Sequence, residues 1–134
     1  MSRKSARETV YKLIFEYLFS KKRNTLSEEV FALDNSLSPE DKKYIEKAYP
    51  GVIEHFDELT GIIASYSEGF TLDRIYKPDL AALLLSIYEL KFMKDVPPLV
   101  SISEALELVK AYSTDKSSSF VHGILAEVKK DGNH

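Results

Sequence analysis

Apolar positions along the chain recur at spacings of three and four almost throughout, the signature of amphipathic helices packed on a shared core. Val10, Leu13, Ile14, Tyr17 and Leu18 place one stripe on a first helix from about Arg3 to Phe19. Ser27 opens a short second helix through Val30, Phe31 and Leu33, closed by the turn-forming Asp34-Asn35-Ser36. Ser38-Pro-Glu-Asp41 opens a third, with serine as N-cap, proline in the first turn and acidic residues against the helix dipole. Pro50-Gly51 would ordinarily end it. Yet Ile45, Tyr49, Val52, Phe56, Leu59, Ile63 and Tyr66 hold their phase across the proline, which predicts one long kinked helix ending near Ser67-Glu-Gly69.

Thr71 to Ile75 is at most a single turn, and Pro78 starts a helix to about Lys94 that is apolar on nearly every side. Such a helix belongs at the centre of a core. Ser101-Ile-Ser-Glu104 reads as a capping box for the next helix, with Ile102, Ala105, Leu106, Leu108 and Val109 inward, and Ser117 to Val128 forms the last. Sustained alternation and hairpin turns are missing, so the fold class is all-α, with six or seven helices.

A chain of 134 residues, 44% hydrophobic and 29% charged, suits one domain spanning 1–134. It has no cysteine, which removes disulfides and thiolate metal sites, and the default location is cytoplasmic. The run from Leu80 to Leu85 is too short to cross a bilayer, so no membrane contact is expected. Net charge is −3 but unevenly spread: residues 1–23 carry seven basic and two acidic side chains, the remainder 11 basic and 19 acidic. The basic first helix is either a solvated face or a contact for an anion such as RNA.

Chemistry is sparse. His55 has no second histidine at ligand spacing and His134 falls in a frayed tail, so no metal is expected. Phosphate loops, nucleophile elbows and metalloprotease pairs are missing, which favours binding over catalysis and requires no cofactor. Gly123 inside the last helix suggests close packing on the first helix. Phe19, Phe92 and Met93 could form an apolar patch and a homodimer contact.

Three segments together are more specific: Ser5-Ala-Arg-Glu8 before a periodic helix, Ile87-Tyr-Glu-Leu90 leading through Val96-Pro97 to Ile102-Ser-Glu-Ala-Leu-Glu-Leu-Val-Lys110, and Ser117-x-x-Phe-Val-x-Gly-Ile-Leu125. In order and spacing they resemble the NusB transcription antitermination family over about residues 3–129. The resemblance implies two small helical bundles packed together, the long third helix serving both. It also implies a non-enzymatic factor that pairs with the small-subunit ribosomal protein acting as NusE, binds single-stranded boxA RNA, and helps RNA polymerase read through termination in ribosomal RNA operons. Arg3, Lys4 and Arg7 fall in the family's RNA-contacting segment, and Phe15 at a position usually aromatic. Phe120 matches a phenylalanine at the RNA surface, while Asp79 matches an acidic position facing the ribosomal protein, with Glu89 supporting that region. Its own stripe with Ile124 and Val128, taken alone, favours core packing for Phe120.

The chain departs from the family pattern at Ser119 (commonly lysine), Leu84 (commonly arginine), and His122 and Ser103 (commonly asparagine). Fewer cations release fewer counterions, so RNA affinity should be lower and less salt-dependent, with Lys116 returning one charge nearby. Two alternatives therefore stand beside the first: a protein-interaction scaffold with weak or lost RNA binding, and a separate RNA-binding subunit of an RNA-modifying enzyme.

Overall fold

A computed structural model describes residues 3–68 and 71–132. The order is α1 (Arg3–Ser20), α2 (Thr25–Leu33), α3 (Pro39–Glu54), α4 (Phe56–Tyr66), a 3-10 turn (Leu72–Arg74), α5 (Lys77–Phe92), α6 (Pro98–Tyr112) and α7 (Asp115–Lys130). Among the described residues there is no strand. Gly69, at the expected end of the third helix, and His134 in the expected tail lie outside them.

α5 is the axis of the molecule. Every residue from Pro78 to Glu89 is buried, and α1, α3, α4, α6 and α7 all pack on it. α3 lies against α1 and α2, whereas α4 lies against α5 and α7, so the α3–α4 rod joins two groups of helices. Ser38 caps α3 as its sequence suggests, its Oγ accepting the Asp41 amide at 3.1 Å.

The rod is not one continuous helix. α3 runs through Pro50 and the interruption falls five residues later, at His55, whose backbone leaves helical geometry (φ −102°, ψ 21°). There the His55 ring stacks on Phe92 at 4.2 Å while Phe56 meets the Tyr17 ring edge-on at 5.5 Å. Tertiary contacts thus mark the break, and a single missing amide at Pro50 is tolerated inside a packed helix.

Two helix starts also differ from expectation. α2 is capped by Asn24, whose side chain accepts the Ser27 amide at 2.9 Å, so Ser27 is already helical. α6 begins at Pro98, and Ser101 lies inside it. Its hydroxyl pairs with that of Ser86 on α5 at 2.9 Å, and the Glu104 carboxylate faces Arg7 at 3.6 Å. Both members of the anticipated capping box are committed to other helices.

The two informative glycines exchange roles. Gly123 is exposed, and a Cβ there would meet nothing within 4 Å. The expected packing against α1 is therefore wrong, because this face of α7 looks to solvent. Gly51 is the tight position, where an added Cβ would overlap the Tyr88 ring. Met93 is buried and Phe92 half-buried, leaving Phe19, 61% exposed, as the open member of the anticipated patch.

α1 is joined to the axis by an enclosed ion pair. Arg7 Nε donates to Glu89 Oε2 at 2.8 Å with both side chains at most 5% exposed. The Tyr44 hydroxyl of α3 donates to the same oxygen. Burial, then the Glu89 carboxylate, push the Tyr44 hydroxyl well above its ordinary pKa, so it stays protonated and remains a donor. α1, α3, α5 and α6 meet at this one cluster.

Gly123→Ala should stabilise by about 0.5–1 kcal/mol, because alanine is the better helix former where no neighbour is disturbed. Gly51→Ala should cost about 1–3 kcal/mol from overpacking against Tyr88, and thermal melts of both variants should move in opposite directions. Removing either partner of the buried pair, as in Arg7→Met or Glu89→Met, should cost about 3–5 kcal/mol by stranding the other charge. The double variant should lose clearly less than the sum of the singles in urea unfolding; strict additivity would mean that the two charges are not coupled.

Candidate nucleic-acid interface

The start of α7 is built on a buried carboxylate. Asp79, 5% exposed near the start of α5, accepts the Ser113 hydroxyl at 2.6 Å and the Ser117 hydroxyl at 2.9 Å on its two oxygens. Thr114 precedes α7 in extended conformation, and its hydroxyl adds a 2.9 Å contact to Ser117. Next to this cluster Tyr11 donates to the Pro78 carbonyl at 3.0 Å. Burial first, and the Asp79 charge second, raise the Tyr11 pKa and keep that donor protonated. The first turn of α7 is thereby fixed to α5, and α5 in turn to α1.

Lys116 and Phe120 stand one turn apart on that anchored helix and share a face. With Arg74, Ile75, Tyr76, Asp79, Thr114 and Ser117 they line a groove of about 310 Å3. Phe120 is half-buried, packing on the core while bordering this groove. A second groove, about 400 Å3, lies across the Arg74–Tyr76 segment and is bounded by Phe15 and Phe19 of α1 together with Asp73, Lys77 and Pro78. Phe15 and Phe19 meet edge to face at 5.0 Å, and the Lys77 ammonium stands 5.1 Å from the centre of the Phe19 ring.

Phe15, Lys116 and Phe120 are thus brought together around one loop. Ser119 is exposed on α7 but does not line either groove. Arg3, Lys4 and Arg7 lie at the other end of α1, eight residues or roughly 12 Å of helix from Arg7 to Phe15. Each is engaged by a carboxylate: Arg3 with Asp41 at 3.7 Å, Lys4 with Glu107 at 3.1 Å, Arg7 with Glu89 and Glu104. Arg7 is enclosed, whereas the Lys4 side chain is 64% exposed. Asp79 and Glu89 are both buried, so a partner on this side would meet the elements they hold rather than their carboxylates.

Arg74, Tyr76 and Lys77 are the members of this surface that the sequence reading passed over. Arg74 sits at the end of the Thr71–Ile75 turn and Tyr76 and Lys77 between that turn and Pro78, with buried Ile75 flanked by exposed Arg74 and Tyr76. Leu84, at a position commonly arginine in the family, is wholly inside the core and bears on neither groove.

Comparison with known proteins places this arrangement in a family. Residues 4–130 match the model of the NusB family. A transcription antitermination protein NusB of Agathobacter rectalis is 40% identical over 130 residues, covering 95% of this chain and 98% of that protein. A Listeria monocytogenes NusB is 37% identical over 128 residues, 96% of each chain. Among solved structures, T. maritima NusB superposes with a TM-score of 0.87 at 32% identity, covering 98% of this chain and 92% of that one. A crystal structure of the antitermination factors NusB and NusE in complex with dsRNA gives a TM-score of 0.83 at 28% identity, covering 96% of each. Matched from the first turn of α1 to the end of α7, the chain belongs to the NusB family.

Proposed function

We propose that the chain is a transcription antitermination factor that pairs with the ribosomal protein acting as NusE, binds boxA-like single-stranded RNA, and promotes read-through by RNA polymerase in ribosomal RNA operons. It acts in the cytoplasm by binding, without catalysis. The carrying observation is the Lys116–Phe120 face of α7, held by Asp79 beside the Phe15 groove. Unpaired bases stack on aromatic rings and their phosphates take up cations, which is the chemistry this face offers. Phe15, Lys116, Ser119 and Phe120 are assigned to the RNA, with Arg3 and Lys4 at the far end of α1. Arg7 serves by holding α1 in place, and Asp79 and Glu89 serve the partner surface through the helices they fix.

The ion pairing of all three N-terminal cations favours a second reading, a scaffold with weakened RNA binding. Sequence selectivity separates the two. Fluorescence anisotropy with a boxA-like strand, a scrambled strand and a duplex of the same sequence, with and without the ribosomal partner, should give selective binding to the single strand that the partner strengthens. Phe120→Ala should lose about 1–3 kcal/mol, and Lys116→Glu should weaken binding at low salt. Equal affinity for boxA and scrambled RNA in the presence of the partner would select the scaffold.

A further inference from the structure

The two grooves share one wall, Arg74–Ile75–Tyr76, and each has its own aromatic side and its own cation. Phe120 and Lys116 border the first; Phe15, Phe19 and Lys77 border the second. Tyr76 stands between them with 57% of its surface exposed, yet its backbone is tightly held. Its carbonyl accepts the amides of Asp79 and Leu80, both at 2.9 Å, and so opens α5. Ile75 beside it is 5% exposed and anchored in the core, its amide bonded to the Leu72 carbonyl at 3.2 Å. A large ring on a fixed backbone is presented at small entropic cost on binding.

The charge of this wall is cationic on balance. Arg74 borders both grooves, with Lys77 on one side and Lys116 on the other. Two carboxylates also line them. Asp79 is occupied by Ser113 and Ser117. Asp73 is held below its ordinary pKa chiefly by the Thr71 hydroxyl, with smaller contributions from Arg74 and Lys77. Three cations interleaved with aromatic rings match a strand of bases and phosphates. Both grooves fall within the size range of small-ligand sites.

Resting on the RNA reading above, we propose that Tyr76 is a wedge between two consecutive unpaired bases of the bound RNA, one seated against Phe120 and the next against Phe15 and Phe19, and that Arg74 contacts the phosphate joining them. Tyr76 thereby sets the register of the strand. The phenol hydroxyl has no part in this, so phenylalanine should replace tyrosine.

The test uses the full chain with the ribosomal partner and a boxA-like strand, together with strands made abasic at each position in turn. Tyr76→Ala should lower affinity roughly 5- to 150-fold, as loss of one stacking contact would. Tyr76→Phe should restore it, and Arg74→Ala should reduce the salt slope by about 0.7. The difference between the unsubstituted protein and Tyr76→Ala should shrink for abasic strands at two adjacent positions. An unchanged affinity for Tyr76→Ala, alongside weakened binding by Phe120→Ala, would overturn the wedge and leave the RNA reading standing. Shrinkage at a single position, or at two separated ones, would also overturn it. Loss of the ribosomal partner in Tyr76→Ala, with RNA affinity of the isolated chain unchanged, would reassign Tyr76 to the protein contact. Absence of selective RNA binding by the unsubstituted protein would overturn both.

Discussion

A helix without a solvent face must find a neighbour for every polar side chain it carries, and α5 carries three in its buried span. Asp79 holds Ser113 and Ser117 at the start of α7, Ser86 holds Ser101 inside α6, and Glu89 holds Arg7 of α1 and Tyr44 of α3. Apolar packing alone tolerates some sliding between helices. A buried carboxylate does not, because a displaced partner leaves a charge without compensation in a medium of low polarity. The registers of α1, α3, α6 and α7 against the axis are therefore set by three side chains.

That arrangement divides the cations of an acidic protein into two classes. Arg7 is consumed by the fold, and Arg3 and Lys4 are drawn toward Asp41 and Glu107. Arg74, Lys77 and Lys116 border the grooves, around rings whose positions depend on Asp79 and Ile75 beneath them. The basic residues at the start of α1 are thus a structural device, although charge counting along the sequence gives every cation equal weight.

Helix content and the central place of α5 were legible because periodicity and all-round apolarity follow directly from burial. Ser38 was legible because its cap is local, closed within three residues. The misplaced start of α6 and end of α3 share a physical origin in partners distant along the chain. Ser101 and Glu104 satisfy a capping pattern, yet their bonds go to Ser86 and Arg7. Pro50 and Gly51 satisfy a stop pattern, yet Tyr88 packs against Gly51 and the helix runs on to His55. At the candidate interface the family resemblance pointed to Phe15 and Phe120, which border the two grooves. The Arg74–Lys77 loop carried no periodic signal, and only the fold brings it between them.

α2 stands apart from this frame. It has no buried residue, and Leu26, Val30 and Leu33 are mostly exposed. Its hold on the rest comes from α3, from half-buried Phe31 against the core, from the Tyr49 hydroxyl that accepts the Asn24 amide at 2.8 Å, and from the Asn24 side chain donating to Glu16 of α1 at 2.9 Å. Little apolar area is exposed when such a helix lifts away, so its opening free energy lies far below that of the α5 axis. Amide hydrogen exchange along the chain should accordingly be layered: fast in α2 by local opening, and slow in α5, whose amides are expected to exchange only when the whole protein unfolds.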